Sequence, residues 1–535
     1  MLLKRYSIIT MAFIGLSFQL KAQVNPKEKL WQALKGIQEN YVDSLTDESL
    51  VNAAIAGMLR ELDPHSRYYA KDDALQMRES MKGNFAGIGI QFITEKDSVY
   101  ITQVINDGPA EKAGLMSGDR ILSIDGKPVA GVTSYDIMKS IRGQKGSPLS
   151  LVVLRKSTGS TLTKEIIRDV VADKSVSTAY MVNNKVGYIS LRIFNGTTRT
   201  EMDKAIKTLK DQGMQSLILD LQGNGGGYVE AAIGVADEFL QKDQLVFYSV
   251  PRDKGKDYYY AGGFGSFPEG KLVVLIDQST ASASEILTGA LQDWDRAVIV
   301  GRRSFGKGLM QRPVPLFDGS ILELTGARYY TPSGRSIQKP YHGDKYDDNA
   351  QTRLASGELL DANVIHFPDS LKYTTLVNKR TVYGGGGIMP DRYIPIDTVE
   401  YNSWLQYISQ FGLITKPTFD YLDSNRAKLM ATYPDFNAFN KEYTVPASLL
   451  QQVVTNAEKA GLPMHTGNKD RAISLLSLEM KAQIATQLFA GNDYYMRVLN
   501  SDNASFREAV RLLEQPALYT QQLKPAAEAN KKVRK

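Results

Sequence analysis

The chain has 535 residues, of which 43% are hydrophobic and 23% are charged, and its formal net charge is +6. This length predicts several domains, and the composition excludes wholesale disorder. Because the chain contains no cysteine, disulfides, a cysteine nucleophile, thiolate metal sites and a lipidated N-terminal cysteine are all excluded.

Residues 1–22 have the pattern of a secretory signal peptide. Lys4 and Arg5 precede an apolar stretch from Ile8 to Leu20, and the small residue Ala22 follows. The stretch is shorter than the roughly 20 residues of a membrane-spanning helix, so we expect cleavage near Ala22, a periplasmic location and a mature chain without a transmembrane segment. Cleavage removes three cations and lowers the charge from +6 to +3, which predicts no nucleic-acid partner.

The next two segments differ in periodicity. Residues 26–82 show helical spacing of apolar residues, whereas residues 83–170 form short β-rich runs with glycine turns. The stretch "GPAEKAGLMSGDRILSIDGKPV" (108–129) resembles a PDZ domain. That resemblance implies an edge strand that accepts a peptide, and a loop before it that binds a chain-terminal carboxylate. The loop comprises Phe85, Ala86, Gly87, Ile88 and Gly89.

Residues 175–397 alternate apolar strands with amphipathic helices, which predicts a parallel sheet with crossover helices. In this segment the strand "KLVVLID" is followed by "STASASEI" and then a helix, so Ser282 and Ser284 fall at the helix N-terminus. Serine is a common N-cap there, but the free N–H groups of a helix N-terminus would also stabilise an oxyanion. Either role fits each serine taken alone.

A serine nucleophile needs a base, and the candidates are few. The four histidines, His65, His342, His366 and His465, lie outside the segment around the serines, so a Ser-His-Asp triad requires long-range folding. A buried lysine with a lowered pKa is the alternative. Lys307, in "RRSFGKGLMQ", follows the next strand and should return to the same sheet edge, although a solvated loop lysine is the commoner case.

Taken together, "STASASEILTGALQDWDRAVIVGRRSFGKGLMQ" resembles the signature of the C-terminal processing peptidases, the tail-specific serine proteases of peptidase family S41. Further motifs follow in the same order, namely "LDPHSRYY", "GNFAGIGIQF", "LILDLQGNGGGYVEAA", "ARYYTPSGRSIQ" and "GGGGIMPD". The resemblance covers roughly residues 28–395. It implies a multidomain α+β protein with a crotonase/ClpP-like βα core, a PDZ domain inserted before it, and helical N- and C-terminal segments.

The resemblance also implies site residues. The family nucleophile matches Ser282, its general-base lysine matches Lys307, and its glutamine, one helical turn further, matches Gln311. The backbone N–H groups of the oxyanion hole match Gly226 or Gly227, together with Ala283. Asp293 is expected to be structural and to order the lysine loop. Ser284 stays an alternative nucleophile, and no metal or cofactor is implied.

The glycine turn departs from the family pattern at two positions. The family turn usually carries an arginine and a proline, where this chain has Gln222 and Gly225. The neutral Gln222 removes a possible ion pair, and Gly225 makes the turn less rigid. Neither change touches the backbone donors, so the predicted activity stands while its regulation is in question.

The C-terminal segment, residues 398–520, is helical and amphipathic, and residues 521–535 form a basic tail of disordered composition. Three roles are open for the helices: the wall of a substrate cage, the interface of a homo-oligomer, or an extension of the fold. We expect an exported serine endopeptidase whose partners are protein or peptide substrates bound by their C-termini. The rivals are a catalytically silent PDZ adaptor and a ligand carrier on the same core.

Overall fold

The computed structural model describes residues 25–525, except for 96–97, 157, 254, 347–348, 400–402, 465–466 and 490–491. The predicted signal peptide lies outside these residues, as does His465. The chain divides into two compact units, residues 1–61 and residues 62–535. None of the helices in the described parts combines the length and apolar character needed to cross a membrane.

The first unit contains two helices, α1 (Pro26–Asn40) and α2 (Asp47–Arg60). Each begins at a polar cap, because the side chain of Asn25 accepts from Lys27 N and that of Thr46 accepts from Ser49 N. The predicted helical character of this segment is therefore observed.

The second unit begins with β1 (Arg67–Tyr69) and α3 (Lys71–Lys82) and continues into a small antiparallel domain. Its elements are β2 (Asn84–Gly87), β3 (Ile90–Glu95), β4 (Ser98–Val104), α4 (Pro109–Lys112), β5 (Arg120–Ile124), β6 (Lys127–Pro128), α5 (Ser134–Ile141), β7 (Pro148–Arg155), β8 (Ser160–Ile167) and β9 (Asp169–Ala172). The sheet order is β3-β4-β5-β7-β8, with β6 beside β5, so β3 is an edge strand. Strands β2 and β9 pair where the chain enters and leaves this domain.

The central domain follows with two sheets. Its elements are β10 (Val176–Met181), β11 (Val186–Leu191), α6 (Thr198–Asp211), β12 (Ser216–Asp220), α7 (Val229–Asp237), β13 (Leu245–Pro251), β14 (Asp257–Tyr260), β15 (Lys271–Ile276), α8 (Ala283–Asp293), β16 (Val298–Gly301), β17 (Leu309–Pro315), β18 (Ile321–Tyr330), β19 (Tyr341–His342), β20 (Lys345–Tyr346), α9 (Ala350–Ala355), β21 (Lys372–Thr374), β22 (Thr381–Tyr383) and β23 (Arg392–Tyr393).

The first sheet of this domain has the order β10-β11-β12-β15-β16-β23, and all its pairs are parallel except β10 with β11. Every residue of β12 and β16 is buried, as expected for parallel strands covered on both faces. The second sheet is antiparallel, in the order β1-β18-β13-β14 with β17 also beside β18. The lysine loop connects the two sheets, because β16 before it belongs to the first and β17 after it belongs to the second.

The C-terminal region is helical, as predicted. It contains α10 (Ser403–Gln410), α11 (Thr415–Thr432), α12 (Phe436–Glu442), α13 (Ala447–Lys459), α14 (Lys469–Phe489), α15 (Asn492–Asn500), α16 (Ala504–Glu514) and α17 (Pro516–Gln522). Helices α10 to α15 share one apolar core, while α16 and α17 cover a face of the parallel sheet. Helix α17 includes the first two residues of the predicted tail, and residues 526–535 lie outside the described part.

Candidate active site

Ser282 stands at the junction between β15 and α8, in a backbone conformation that is rare for a residue with a side chain. Its φ is 58° and its ψ is −118°. Such conformations cost about 1–3 kcal/mol, persist only where the surroundings enforce them, and cluster at functional sites. A sharp turn of this kind between a strand and a helix presents a serine hydroxyl above the sheet.

Ser284 lies two residues further on and has a different environment. It is fully buried, and its hydroxyl donates to the carbonyl oxygen of Asn224 at 3.0 Å. Ser282 is only half-buried. Of the two serines left open by the sequence, Ser282 is therefore the one placed to reach a substrate.

The glycine turn after β12 packs directly against Ser282, and two of its positions require glycine. A Cβ on Gly226 would lie 2.8 Å from both Ser282 Cβ and Ala281 O and 2.9 Å from Ala283 N, and the φ of Gly226 is 100°. A Cβ on Gly227 would lie 1.9 Å from Phe194 O. The turn can approach the serine this closely only because these side chains are absent.

The backbone donors of this turn are not equivalent. The N–H of Gly226 donates to Asn224 Oδ1 at 2.8 Å, so the expectation that it serves the oxyanion hole is wrong for this arrangement. Within the described residues, the N–H groups of Gly227 and Ala283 donate to no acceptor. These two groups are the free donors beside Ser282.

The lysine loop returns to the start of α8, as expected for neighbouring parallel strands. Phe305 N donates to Thr280 O at 2.9 Å, and the Tyr329 hydroxyl lies 3.2 Å from Ser282 O and 2.6 Å from Lys307 O. Residues that are 25 positions apart in sequence thus share one hydrogen-bonding partner. The structure brings Ser282 and Lys307 together.

The Lys307 amine lies in an environment that favours its neutral form. Burial lowers the pKa of Lys307, and the positive charge of Arg67 lowers it further, while the carboxylates of Glu323, Glu285 and Asp63 oppose the shift. A lysine can act as a general base only when it is neutral.

Gln311 does not have the placement expected of it. The chain from Lys307 to Gln311 is not helical, since Gln311 lies in β17, paired with Thr325 of β18. Its side-chain amide donates to Thr325 Oγ1 at 3.2 Å. No hydrogen bond joins the Lys307 amine to Gln311 among the described residues. The interpretation of their spacing as one helical turn is therefore wrong.

His65 lies close enough to Lys307 to feel its charge, and the sequence did not identify it as part of the site. It belongs to the "LDPHSRYY" motif, which packs against β18, where Thr325 N donates to Ser66 Oγ at 3.2 Å. His65 Nε2 is hydrogen-bonded to the Tyr346 hydroxyl. Burial and the charge of Lys307 lower the pKa of His65 to about 3, so its imidazole is neutral at physiological pH. The "LDPHSRYY" motif was the only feature of the sequence that could have indicated a role for His65 in the site.

Asp293 is structural, but it acts on a different loop from the one expected. At the end of α8 it forms a buried ion pair with Arg335, 2.8 Å apart, and accepts from Ser333 N at 2.9 Å. The loop that it holds leads to Gln338, whose side chain accepts from Gly308 N at 2.7 Å. Asp293 therefore orders the lysine loop only indirectly.

The predicted carboxylate loop of the small domain is partly strand. Phe85, Ala86 and Gly87 belong to β2 and pair with β9, so only Ile88 and Gly89 form the connection to the edge strand β3. Gly89 has a φ of 80°, and the Ile88 side chain is fully buried. The Thr94 and Ser134 hydroxyls, 2.6 Å apart, join β3 to α5.

Gln222, where the family pattern has arginine, contacts the C-terminal region. Its side-chain oxygen accepts from Asn503 Nδ2 at 2.9 Å, just before α16. Gly225 is exposed, and a Cβ there would meet no atom within 4 Å. These two departures therefore leave the packing of the turn against Ser282 unchanged.

Comparison with known proteins gives four family matches. Residues 185–346 match peptidase family S41, residues 86–166 match the PDZ domain, and residues 16–73 match the activating protease CtpB N-terminal domain. Residues 404–491 match a family of unknown function. The PDZ match thus precedes the S41 match, which is the order that the sequence motifs predicted.

Individual relatives agree with these matches. A carboxy-terminal-processing protease of Bartonella bacilliformis is 40% identical over 308 residues, which cover 56% of this chain and 70% of the relative. A probable CtpA-like serine protease of Staphylococcus haemolyticus is 31% identical over 384 residues, 70% of this chain and 74% of the relative. A solved photosystem II D1 C-terminal processing protease is 30% identical, covers 59% of this chain and 91% of its own, and has a TM-score of 0.34. The identities and coverages of the Bartonella and Staphylococcus relatives show that the chain belongs to the carboxy-terminal-processing proteases of peptidase family S41.

Proposed function

We propose that the chain is an exported serine endopeptidase that binds protein C-terminal tails in its PDZ domain and cleaves through an acyl-enzyme. Ser282 is the nucleophile and Lys307 is the general base. The single observation that supports this most is the strained Ser282, which lies beside two free N–H groups and a half-buried lysine loop.

In the first half of the reaction, the neutral Lys307 amine takes the Ser282 proton as Oγ attacks the scissile carbonyl carbon. The carbonyl oxygen becomes an oxyanion, and the N–H groups of Gly227 and Ala283 are the donors for it. When the C–N bond breaks, Lys307 returns the proton to the leaving amine. The N-terminal part of the substrate stays on Ser282 as an ester.

In the second half, water replaces the amine. Lys307 takes a proton from the attacking water, the ester C–O bond breaks, and the proton returns to Ser282 Oγ. The products are a new carboxylate and the free enzyme. No metal or cofactor takes part in this scheme.

The PDZ domain supplies tail recognition. The edge strand β3 lies beside α5, and the segment Phe85–Gly89 precedes it. An extended tail adds to such an edge by backbone hydrogen bonds, and its carboxylate is bound by N–H groups at the start of the strand.

The test is cleavage of an unfolded protein with an apolar C-terminus, with its tail either free or amidated. Ser282→Ala and Lys307→Ala should each reduce kcat by at least about a thousandfold, because each removes a group that handles the reacting proton. The matched controls are Ser279→Ala and Lys204→Ala, at exposed positions outside the site. Amidation should raise KM about tenfold, since it removes a charge-assisted interaction.

Other results would favour the rivals. A folded parent that binds free tails but cleaves nothing would indicate an adaptor. A parent that cleaves equally well without Ser282 or Lys307 would exclude the dyad. Loss of cleavage in Lys307→Ala together with an equal loss in His65→Ala, at unchanged melting temperature, would indicate a histidine base.

A further inference from the structure

Glu285 is a buried carboxylate that binds the backbone of both predicted catalytic residues. It lies in the first turn of α8 and is fully buried. Its Oε2 atom accepts from Ser282 N at 2.9 Å and from Lys307 N at 2.9 Å. Its Oε1 atom accepts from Gly306 N at 2.7 Å and from the Ser304 hydroxyl. One side chain thus joins two segments that are far apart in sequence.

Tyr329 contacts the backbone carbonyl groups of the same two residues, Ser282 and Lys307. It is 1% exposed, and its hydroxyl lies 2.6 Å from Lys307 O and 3.2 Å from Ser282 O. Burial raises the pKa of Tyr329 well above its usual value, so the hydroxyl keeps its proton and donates. Glu285 therefore accepts from the N–H of both Ser282 and Lys307. The single proton of the Tyr329 hydroxyl is shared between their two carbonyl oxygens, with the shorter contact to Lys307 O.

We propose that Glu285 and Tyr329 are positioning residues that fix Ser282 and Lys307 relative to each other by binding both backbones. The inference rests on the proposed function of the dyad. Its physical reason is that Ser282 holds an unfavourable conformation, which its neighbours must enforce. A displacement of about 1 Å between reacting groups costs on the order of a hundredfold in rate.

The first test is Tyr329→Phe, which removes one hydroxyl and keeps the ring. We expect kcat to fall about tenfold, the effect of one lost hydrogen bond, with KM unchanged. The matched control is Tyr330→Phe, the next residue of β18, whose ring stacks on Tyr248 with centroids 5.0 Å apart. It should retain the parental kcat.

The second test is Glu285→Gln, which keeps the size of the side chain and replaces an acceptor oxygen by a donor amide. We expect kcat to fall about a hundredfold, because an N–H group would lose its acceptor in a buried site. The negative charge of Glu285 raises the pKa of Lys307. Its removal should therefore move the acid limb of the pH profile to lower pH. The control Glu230→Gln, at an exposed first-turn position of α7, should change neither property.

The two variants separate positioning from general stabilisation. Tyr329→Phe changes no charge, so its acid limb should coincide with that of the parent while its kcat falls. A parental kcat in a folded Tyr329→Phe variant would overturn the inference, whether or not Glu285→Gln folds. In that event, loss of activity in Ser282→Ala would still support the proposed function. If the parent itself shows no Ser282-dependent cleavage, the proposed function is wrong, and the inference that rests on it is overturned as well.

Discussion

The charge state of Lys307 decides when the proposed enzyme is active. Burial lowers the pKa of the amine, and the charge of Arg67 has the same direction. The nearby imidazole of His65 does not titrate near neutral pH, because its own pKa is lowered to about 3. His65 should therefore not contribute to the acid side of a pH profile of cleavage.

The variant Glu323→Gln should shift the pH dependence of cleavage. Activity requires the neutral amine, so kcat/KM falls as the pH drops through the pKa of Lys307. The carboxylate of Glu323 raises that pKa, and its removal should shift the acid limb to lower pH while the plateau stays within about twofold of the parent. The measurement is kcat/KM between pH 5 and pH 10 (roughly the range over which His and Lys titrate). An acid limb that moves to higher pH would contradict the assignment of the base.

Some residues of the site could be predicted and others could not. Ser282 and Lys307 were expected at one sheet edge because each follows a strand of one parallel sheet, and their roles were expected from the family resemblance. The spacing of Ser282 and Glu285 is that of a capping box, but the contact of Glu285 with Lys307 joins residues 22 positions apart. His65 meets Tyr346 across 281 positions. Such contacts depend on tertiary packing, which local periodicity does not encode.

At the scale of single elements, the glycine turn is the part of the site that tolerates least change. Gly226 combines a positive φ with a position at which a Cβ would clash with three atoms of residues 281–283. Gly225 is its neighbour in sequence, yet it has neither constraint. The family pattern identifies the turn, while the structure distinguishes the two positions.

We therefore expect Gly226→Ala to lose most of its activity and Gly225→Ala to keep it. The new methyl group of Gly226→Ala would displace Ser282 or the N–H of Ala283 by several tenths of an ångström or more. A kcat reduction of at least about a hundredfold is expected for such a displacement. Steady-state kinetics of both variants, with melting temperatures, would check this. Equal activity of the two would show that the turn is not part of the site.

At the scale of the whole molecule, the C-terminal helices contact both other domains of the second unit. Asp420 of α11 pairs with Arg120 of the PDZ domain at 2.9 Å and also contacts Lys156. Gln487 of α14 donates to Thr102 O at 2.9 Å. A cavity of about 830 Å³ lies between the three domains and includes Gln222 in its wall.

These contacts predict that Asp420→Asn loosens the PDZ domain. The lost ion pairs are partly exposed, so amide exchange in β4 and β5 should become faster by up to about fivefold. High salt should have a similar effect on the parent. Glu458→Gln, at an exposed position of α13, is the control and should exchange like the parent. Unchanged exchange in Asp420→Asn would mean that the ion pairs of Asp420 do not hold the PDZ domain in place.

The order of the domains was readable from the sequence, but their contacts were not. Changes in periodicity near residues 83 and 398 distinguish β-rich from helical segments. The pairing of Asp420 with Arg120 spans 300 positions and uses charges that any solvated helix could carry. Charge pairs of this kind leave no pattern in a single sequence.

The shared carboxylate of Glu285 also couples the placement of two chain segments. One oxygen atom of Glu285 binds the amides of both Ser282 and Lys307. If either segment moves away from Glu285, one of these two hydrogen bonds is lost. The two segments are therefore expected to become ordered together, as one cooperative unit.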